Sequence, residues 1–349
     1  MKTAKTVKTP KAPKTAPAAS PINIVGIGPI ADLTKAGLIA LETGGDGRFH
    51  AGRDGVLHIF TPLDRKVELI AYAEQTLCYV KSAMGYPALY PLEPVRFEGP
   101  AEAVLMDLDG TSVHSEHFWI WVIEQTTARL LGNPKFKLEE ADLPHVSGHS
   151  VSEHLQYCIR KYAPGKKVEE ARPHYFDIVH FEMNEIMHGR GRPNAFTPAP
   201  GLKDFLLTLK AHKIKIGLVT SGLYEKAWPE IVSAFRDLGM GDPKDFYDAM
   251  VSAGFSIGRG QVGTLGELTP KPHPWLYAET ARMGLGIDPA RRHRVLGMED
   301  SAAGVVSVRL SGFACLGVAG GNIAASGVGS LVLRDCATLA EALPVILGK

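Results

Sequence analysis

Two aspartates end an apolar segment in the stretch VLMDLDGTSVHSE, which spans residues 104–116. Aspartate is a poor strand former, and the carboxylates of Asp107 and Asp109 repel each other at this spacing. A buried strand that ends on two such residues therefore indicates a positively charged ligand. Carboxylates in this position can bind a hard cation, act as a nucleophile or transfer a proton.

Polar side chains also border the later apolar segments. Thr220 and Ser221 follow the segment IGLV, and Lys271 precedes the helix-like segment PHPWLY. Glu299 and Asp300 follow the segment VLGM. Because ligands of doubly wound sheets bind beyond the carboxyl ends of the strands, we expect these side chains to meet at one edge of the sheet.

The residue types in this set suit phosphoryl transfer. Four converging carboxylates require a cation, and a ligand set of oxygens without His or Cys favours Mg²⁺ over zinc. An ammonium and hydroxyl groups suit the non-bridging oxygens of a transferring phosphoryl group. The sequence therefore predicts Mg²⁺ as the cofactor and a phosphate ester as the substrate.

The elements that position these residues alternate between strand and helix after residue 199. This alternation predicts an α/β fold with a Rossmann-like doubly wound parallel sheet. Residues 115–198 carry apolar residues that recur at intervals of three and four, which predicts a helical lid inserted after the first strand. The predicted domains are a catalytic core of residues 101–114 and 199–349 and a helical cap of residues 115–198.

The first hundred residues are predicted to form a tail and an accessory module. Residues 1–20 contain five lysines and no acid, which predicts a disordered basic tail. Residues 21–100 are predicted to be an α/β extension, with strands at INIVGIG and VLHIFTP and helices over residues 31–42 and 66–84. The turn GIGP lacks the third glycine of a dinucleotide fingerprint, which favours a packing module or a homodimer contact instead.

Composition limits the partners and the compartment. A formal net charge of +1 gives no reason to expect nucleic acid, and no apolar run approaches the length of a membrane span. No cysteine lies in a CxxC pair or beside a His at zinc-finger spacing, which predicts buried thiols in a reducing compartment. The expected location is therefore cytoplasmic. The four cysteines are Cys78, Cys158, Cys315 and Cys336.

The polar motifs, taken in order, resemble those of the haloacid dehalogenase superfamily. The similar segments are DLDGT at 107–111, LVTSG at 218–222, KPHP at 271–274 and GMEDSAAG at 297–304. The helical insert is similar to the C1 cap of that family. The resemblance covers about residues 101–340 and is closest to β-phosphoglucomutase-like and phosphoglycolate-phosphatase-like members.

The resemblance implies a role for each matching residue. Asp107 would be the nucleophile that forms an aspartyl-phosphate, and it would also bind Mg²⁺. Asp109 would be the general acid and base, with its main-chain carbonyl on the metal. The phosphate would be held by Thr220, Ser221 and Lys271, and the metal site would be completed by Glu299 and Asp300.

The resemblance favours a phosphatase that acts on a small phosphorylated metabolite. Dehalogenases lack an aspartate at the position of Asp109, whereas phosphate-ester cleavage needs that acid. A β-phosphoglucomutase-like mutase is the alternative. Two residues weigh against it: Ser152 stands where the related mutases carry Arg, and Trp119 stands where they place an early cap His. A catalytically silent binding module is the other alternative. His149 and Ser150 are predicted either to meet the substrate or to cap the next helix.

Overall fold

The computed structural model describes residues 21–81, 87–146, 151–254 and 268–349. In the described part of the N-terminal module, every regular element is a strand. An antiparallel hairpin precedes a five-stranded antiparallel sheet in which each strand pairs with the next along the chain. The strands are β1 (Ile22–Ile24), β2 (Gly28–Ile30), β3 (Leu38–Leu41), β4 (His58–Pro62), β5 (Val67–Ala71), β6 (Thr76–Val80) and β7 (Ala88–Pro91).

The prediction of an α/β extension is therefore wrong for its helices. The segment 31–42 forms turns and β3, and the described part of segment 66–84 forms β5 and β6 around a tight turn at Tyr72. All five residues of β5 are buried, because one face of the strand packs on the catalytic core and the other on a small apolar cluster around Ile70. A strand that is buried on both faces loses its apolar–polar alternation, which makes it indistinguishable from a buried helix by periodicity.

A six-stranded parallel sheet forms the centre of the part of the chain that follows the N-terminal module, and it confirms the predicted doubly wound fold. A short antiparallel pair, β9 with β10, stands where the chain leaves the core for the helical insert and returns. The strands are β8 (Ala103–Asp107), β9 (Val113–His114), β10 (Thr197–Pro198), β11 (Lys215–Val219), β12 (Ala249–Val251), β13 (Val295–Glu299), β14 (Ala314–Val318) and β15 (Arg334–Cys336). The sheet order is β12–β11–β8–β13–β14–β15, which places β8 between β11 and β13.

In the described ranges, three long helices lie between β9 and β10, and six helices flank the parallel sheet. The inserted helices are α1 (Glu116–Leu131), α2 (Val151–Tyr162) and α3 (Val168–Met187). The core helices are α4 (Leu202–Ala211), α5 (Tyr224–Leu238), α6 (Trp275–Glu279), α7 (Ala302–Leu310), α8 (Ile323–Ser326) and α9 (Leu339–Ile346). A π-helical turn, Thr280–Gly284, continues α6. Four 3₁₀ turns cover Glu140–His145, Pro243–Asp245, Pro289–Arg294 and Gly329–Leu331.

The two faces of the parallel sheet belong to different apolar clusters. One cluster joins the sheet to α4, α5, α9 and the inserted helices. The other joins it to α6, α7 and the N-terminal antiparallel sheet, so that Leu105 of β8 and Leu69 of β5 lie in the same buried cluster. Burial of a Leu or Phe side chain contributes about 1.5–3 kcal/mol, so this shared cluster fixes the N-terminal sheet on the core.

The four cysteines are free and buried, as predicted. None of the helices in the described ranges has both the length and the apolar character needed to cross a membrane.

Candidate active site

The predicted site residues meet at the carboxyl edge of the parallel sheet. Asp107 is the last residue of β8, and Glu299 is the last residue of the neighbouring strand β13. On the other side of β8, the final residue of β11 pairs with Asp107, which places Thr220 next to the aspartate. Carboxylate oxygens of Asp107, Glu299 and Asp300 all lie within 4.8 Å of one another. The structure thus brings together the carboxylates that the sequence places at separate strand ends.

Lys271 lies between two of these carboxylates. Its ammonium contacts Asp107 Oδ1 and lies 2.6 Å from Glu299 Oε1. The Lys271 side chain is 6% exposed, so these ion pairs are shielded from water. Its main-chain N–H donates to Ser221 Oγ at 3.1 Å, so Ser221 contacts the loop that carries Lys271. Burial alone would lower the pKa of Lys271, but the charges of Asp107 and Glu299 raise it, so the ammonium keeps its proton.

The carboxylate of Asp109 is held at the junction between the core and the inserted helices. Its Oδ1 accepts a hydrogen bond from Ser115 Oγ at 2.9 Å, immediately before α1. Its Oδ2 accepts from Thr220 Oγ1 at 3.3 Å, and Thr220 Oγ1 itself accepts from the N–H of Gly222 at 2.9 Å. Two hydroxyls therefore fix the orientation of this carboxylate, as a group that transfers protons requires.

The pKa values of the carboxylates show an excess of negative charge at the site. The pKa of Asp107 is raised well above its usual value, first by burial and then by the charge of Glu299. The pKa of Asp300 is raised to about 7, again by burial first and by Glu299 next. The ammonium of Lys271 opposes both shifts without cancelling them, so the group of carboxylates favours a further cation.

Glycines make room for two of the carboxylates. Gly110 has a φ of +88°, and a Cβ there would lie 2.1 Å from Asp300 Oδ2. A Cβ on Gly304 would lie 1.8 Å from the Glu299 carboxyl carbon. A larger residue at either position would displace a carboxylate. No role for these glycines follows from the sequence alone, although Gly110 lies in the motif DLDGT and Gly304 in the motif GMEDSAAG.

Sequence reasoning also missed polar side chains on the helices around the site. Tyr277 of α6 is fully buried and donates its hydroxyl proton to Glu299 Oε1. Glu230 of α5 is 1% exposed, and burial followed by the charge of Asp109 raises its pKa well above the usual value. A charged residue in the middle of a helix indicates a functional site only when the buried face of that helix is known.

Lys226 of α5 joins the core to the inserted helices. Its ammonium lies 4.0 Å from the centroid of the Trp119 ring on α1 and donates to the Tyr175 hydroxyl on α3 at 3.0 Å. Burial alone would lower the pKa of Lys226, but the Tyr175 hydroxyl and the charges of Asp109 and Glu230 raise it. The predicted cap contacts with substrate, His149 and Ser150, lie outside the described residues.

Comparisons with known proteins agree with this fold. Residues 104–237 match the family model described as haloacid dehalogenase-like hydrolase. CbbY from Rhodobacter sphaeroides in complex with phosphate is a similar solved structure, with a TM-score of 0.50 and 19% identity over 71% of this chain and 100% of that chain. A predicted phosphoglycolate phosphatase from Haemophilus somnus 129pt gives a TM-score of 0.53 and 16% identity, over 71% of this chain and 98% of that one. At these identities the likeness shows the fold alone. No curated protein matches the sequence of this chain.

Proposed function

We propose that this chain, in which residues 104–237 match the model of the haloacid dehalogenase-like hydrolases, is a Mg²⁺-dependent phosphatase of that family acting on a small phosphorylated metabolite. The observation that carries the proposal is the contact of the Lys271 ammonium with Asp107, at a point where three carboxylates lie within 4.8 Å. A carboxylate nucleophile, a cation site and a buried ammonium are the groups that phosphoryl transfer requires.

The donor atoms at the site fit Mg²⁺. They are carboxylate oxygens, which Mg²⁺ prefers, and the raised pKa of Asp300 reflects negative charge that a cation would offset. The ion would be held by Asp107, Glu299, Asp300 and the main-chain carbonyl of Asp109. When bound, it would neutralise phosphate oxygens and orient the phosphoryl group.

The protein's own residues then account for two chemical steps. The Asp107 carboxylate attacks phosphorus, and the bond to the leaving oxygen breaks while Asp109 gives that oxygen a proton. Asp109 next takes a proton from a water molecule, whose oxygen attacks phosphorus and releases phosphate from Asp107. Lys271 and Thr220 stabilise the negative charge on the phosphoryl oxygens throughout, and Lys271 also orients the nucleophile.

The surroundings of Asp109 support a small substrate. The leaving group must lie on the side of Asp109, where Ser115 begins the transition to α1 and where Lys226 reaches Trp119 and Tyr175. These side chains from the core and the inserted helices restrict the space for the leaving group. A phosphorylated metabolite such as a sugar phosphate suits this setting better than a phosphorylated macromolecule.

Phosphate release should be stoichiometric with substrate loss and should require Mg²⁺. The first measurement is turnover of p-nitrophenyl phosphate and of a panel of phosphorylated metabolites, with Mg²⁺ and with EDTA. A catalytically silent module would release no phosphate from any of them. A mutase would convert β-glucose 1-phosphate into glucose 6-phosphate with little free phosphate and would need a bisphosphate activator. Full activity in chelated protein would contradict the role of Mg²⁺.

Stabilisation by Mg²⁺ should grow with pH. The pKa of Asp300 is about 7 in the folded protein, against about 3.9 in an unfolded chain. A carboxyl group with a raised folded pKa stabilises the fold fully below about pH 4, and this contribution is lost as the pH rises through about 7. Metal-free protein should therefore lose stability over that window, and Mg²⁺ should restore it.

The measurement is the Tm in EDTA and in excess Mg²⁺ between pH 5 and pH 8. At a hundredfold excess over Kd, bound Mg²⁺ contributes about 2.7 kcal/mol, so the shift should be resolved easily at pH 8 and should shrink at pH 5. In the control variant Asp300→Asn, the Mg²⁺ shift should be small at every pH. Equal Mg²⁺ shifts at both ends of the range would show that Asp300 does not titrate as described.

A further inference from the structure

A tyrosine of the N-terminal sheet touches the loop that carries Lys271. The hydroxyl oxygen of Tyr90, on β7, lies 2.7 Å from Nδ1 of His273. The two rings meet edge to face with centroids 5.7 Å apart, and the Tyr90 ring also meets Trp275 edge to face at 6.2 Å. His273 follows Lys271 by two residues. Tyr90 and His273 are 183 residues apart in the chain.

The loop is tied to the core on its other side through its main chain. The carbonyl oxygen of His273 accepts from Ser307 Oγ at 2.6 Å, and that of Pro274 accepts from Ser311 Oγ at 2.7 Å. The side chain of His273 is buried, at 2% exposure, and burial lowers its pKa, so the ring is neutral at pH 7. Tyr90 therefore supplies a tether from the N-terminal sheet to a loop that α7 holds from the opposite side.

The N-terminal sheet is itself fixed firmly enough to act as an anchor. Arg309 of α7 is 5% exposed, and its guanidinium donates to the carbonyl oxygens of Gly26 at 2.7 Å, of Leu331 at 3.2 Å and of Glu93 at 3.4 Å. In the chain, Gly26 precedes the five-stranded sheet and Glu93 follows it. The sheet also shares a buried apolar cluster with Tyr277 of α6, the residue that contacts Glu299.

We propose that Tyr90 is a positioning residue for Lys271. Through His273 it holds the loop of residues 270–274 in the place where the Lys271 ammonium meets Asp107 and Glu299. The N-terminal sheet is accordingly part of the catalytic apparatus rather than an appendage. The inference rests on the proposed function, because Lys271 affects the rate only if the protein transfers phosphoryl groups as proposed.

Removal of one hydroxyl tests this inference. Tyr90→Phe keeps the ring contacts with His273 and Trp275 and deletes the hydrogen bonds that the hydroxyl makes with these two residues. A displacement of about 1 Å in a positioning group costs up to about 10²-fold in rate. We expect a loosened loop to lower kcat on p-nitrophenyl phosphate about tenfold. KM should change less than twofold, because Thr220 and Mg²⁺ still bind the phosphate while Lys271 acts mainly on charge in the transition state.

Three variants separate positioning from general destabilisation. Tyr72→Phe removes a hydroxyl from the same sheet, where Tyr72 packs on the apolar cluster around Ile70, and should leave kcat unchanged. His273→Leu should reproduce the loss seen in Tyr90→Phe, and the double variant should be no slower than His273→Leu alone. His273→Asn places an amide where Nδ1 lies and should recover most of the lost kcat.

Hydrogen exchange gives a readout that does not depend on turnover. The main-chain amides of residues 268–279 should exchange faster in Tyr90→Phe than in wild type or Tyr72→Phe. The Tm values of the three proteins should agree closely. Unchanged kcat and unchanged exchange in Tyr90→Phe would overturn the inference, and so would equal losses in Tyr90→Phe and Tyr72→Phe. If wild type hydrolyses no phosphate ester, the proposed function fails, and the exchange rates still decide whether Tyr90 tethers the loop.

Discussion

Asp107→Asn is expected to reduce turnover of every phosphate ester to background. The amide keeps the size of the side chain but supplies neither a nucleophile nor an anionic metal ligand, so no phosphoenzyme can form. Uncatalysed hydrolysis of phosphate monoesters is slow enough that enzymes accelerate it up to ~10²¹-fold, so no spontaneous route replaces the lost one. Steady-state assays with p-nitrophenyl phosphate and the best metabolite substrate measure the loss.

The folded state should survive this substitution. Asp107 is buried among carboxylates that raise its pKa, so replacement by a neutral amide relieves repulsion in the metal-free protein. We expect its Tm in EDTA to be at least that of wild type. The matched control is Asp204→Asn, the same chemical change at an exposed position on α4, which should leave kcat and Tm unchanged. Activity near the wild-type level in Asp107→Asn would show that another residue is the nucleophile.

Asp109→Asn is expected to lower kcat by roughly 10²–10⁴-fold for alkyl phosphates, the range that general acid–base catalysis supplies. The amide can keep the contacts with Ser115 and Thr220, so the geometry should persist while proton transfer is lost. The loss should be smallest for p-nitrophenyl phosphate, because p-nitrophenolate leaves with little need of a proton. A comparison of kcat across leaving groups of different basicity measures this effect. An equal loss for all leaving groups would contradict the role of Asp109 as an acid.

The position of the site was predictable because parallel strands impose it. Asp107, Thr220 and Glu299 are distant in sequence, but each stands at the end of an apolar segment, and the topology of a doubly wound sheet brings such ends to one edge. The sequence also predicts the type of chemistry, because an all-oxygen donor set next to an ammonium suits few reactions. The polar residues that end the apolar segments and the topology of the parallel sheet both point to the same carboxyl edge.

The parts that were not predictable depend on contacts between distant elements. β5 and β6 look helical because they are buried on both sides, and that burial arises only once the N-terminal sheet has packed on the core. Tyr277 and Glu230 become neighbours of the site only after α6 and α5 have docked on the sheet. The contact of Tyr90 with the Lys271 loop could not be predicted, because His273 belongs to the KPHP motif but no pattern around Tyr90 marks it as a neighbour of that motif.

In the proposed mechanism, the phosphoryl group is bonded covalently to Asp107 before it is released as phosphate. In Asp109→Asn nothing activates the attacking water, so the aspartyl-phosphate should persist long enough to be trapped. The most direct measurement is intact mass after rapid acid quench of this variant with Mg²⁺ and p-nitrophenyl phosphate, followed by peptide mapping. We expect an added mass of ~80 Da, the transferred phosphoryl group, on the peptide that contains Asp107. A label on any other residue, or the same label in the double variant that also carries Asp107→Asn, would contradict it.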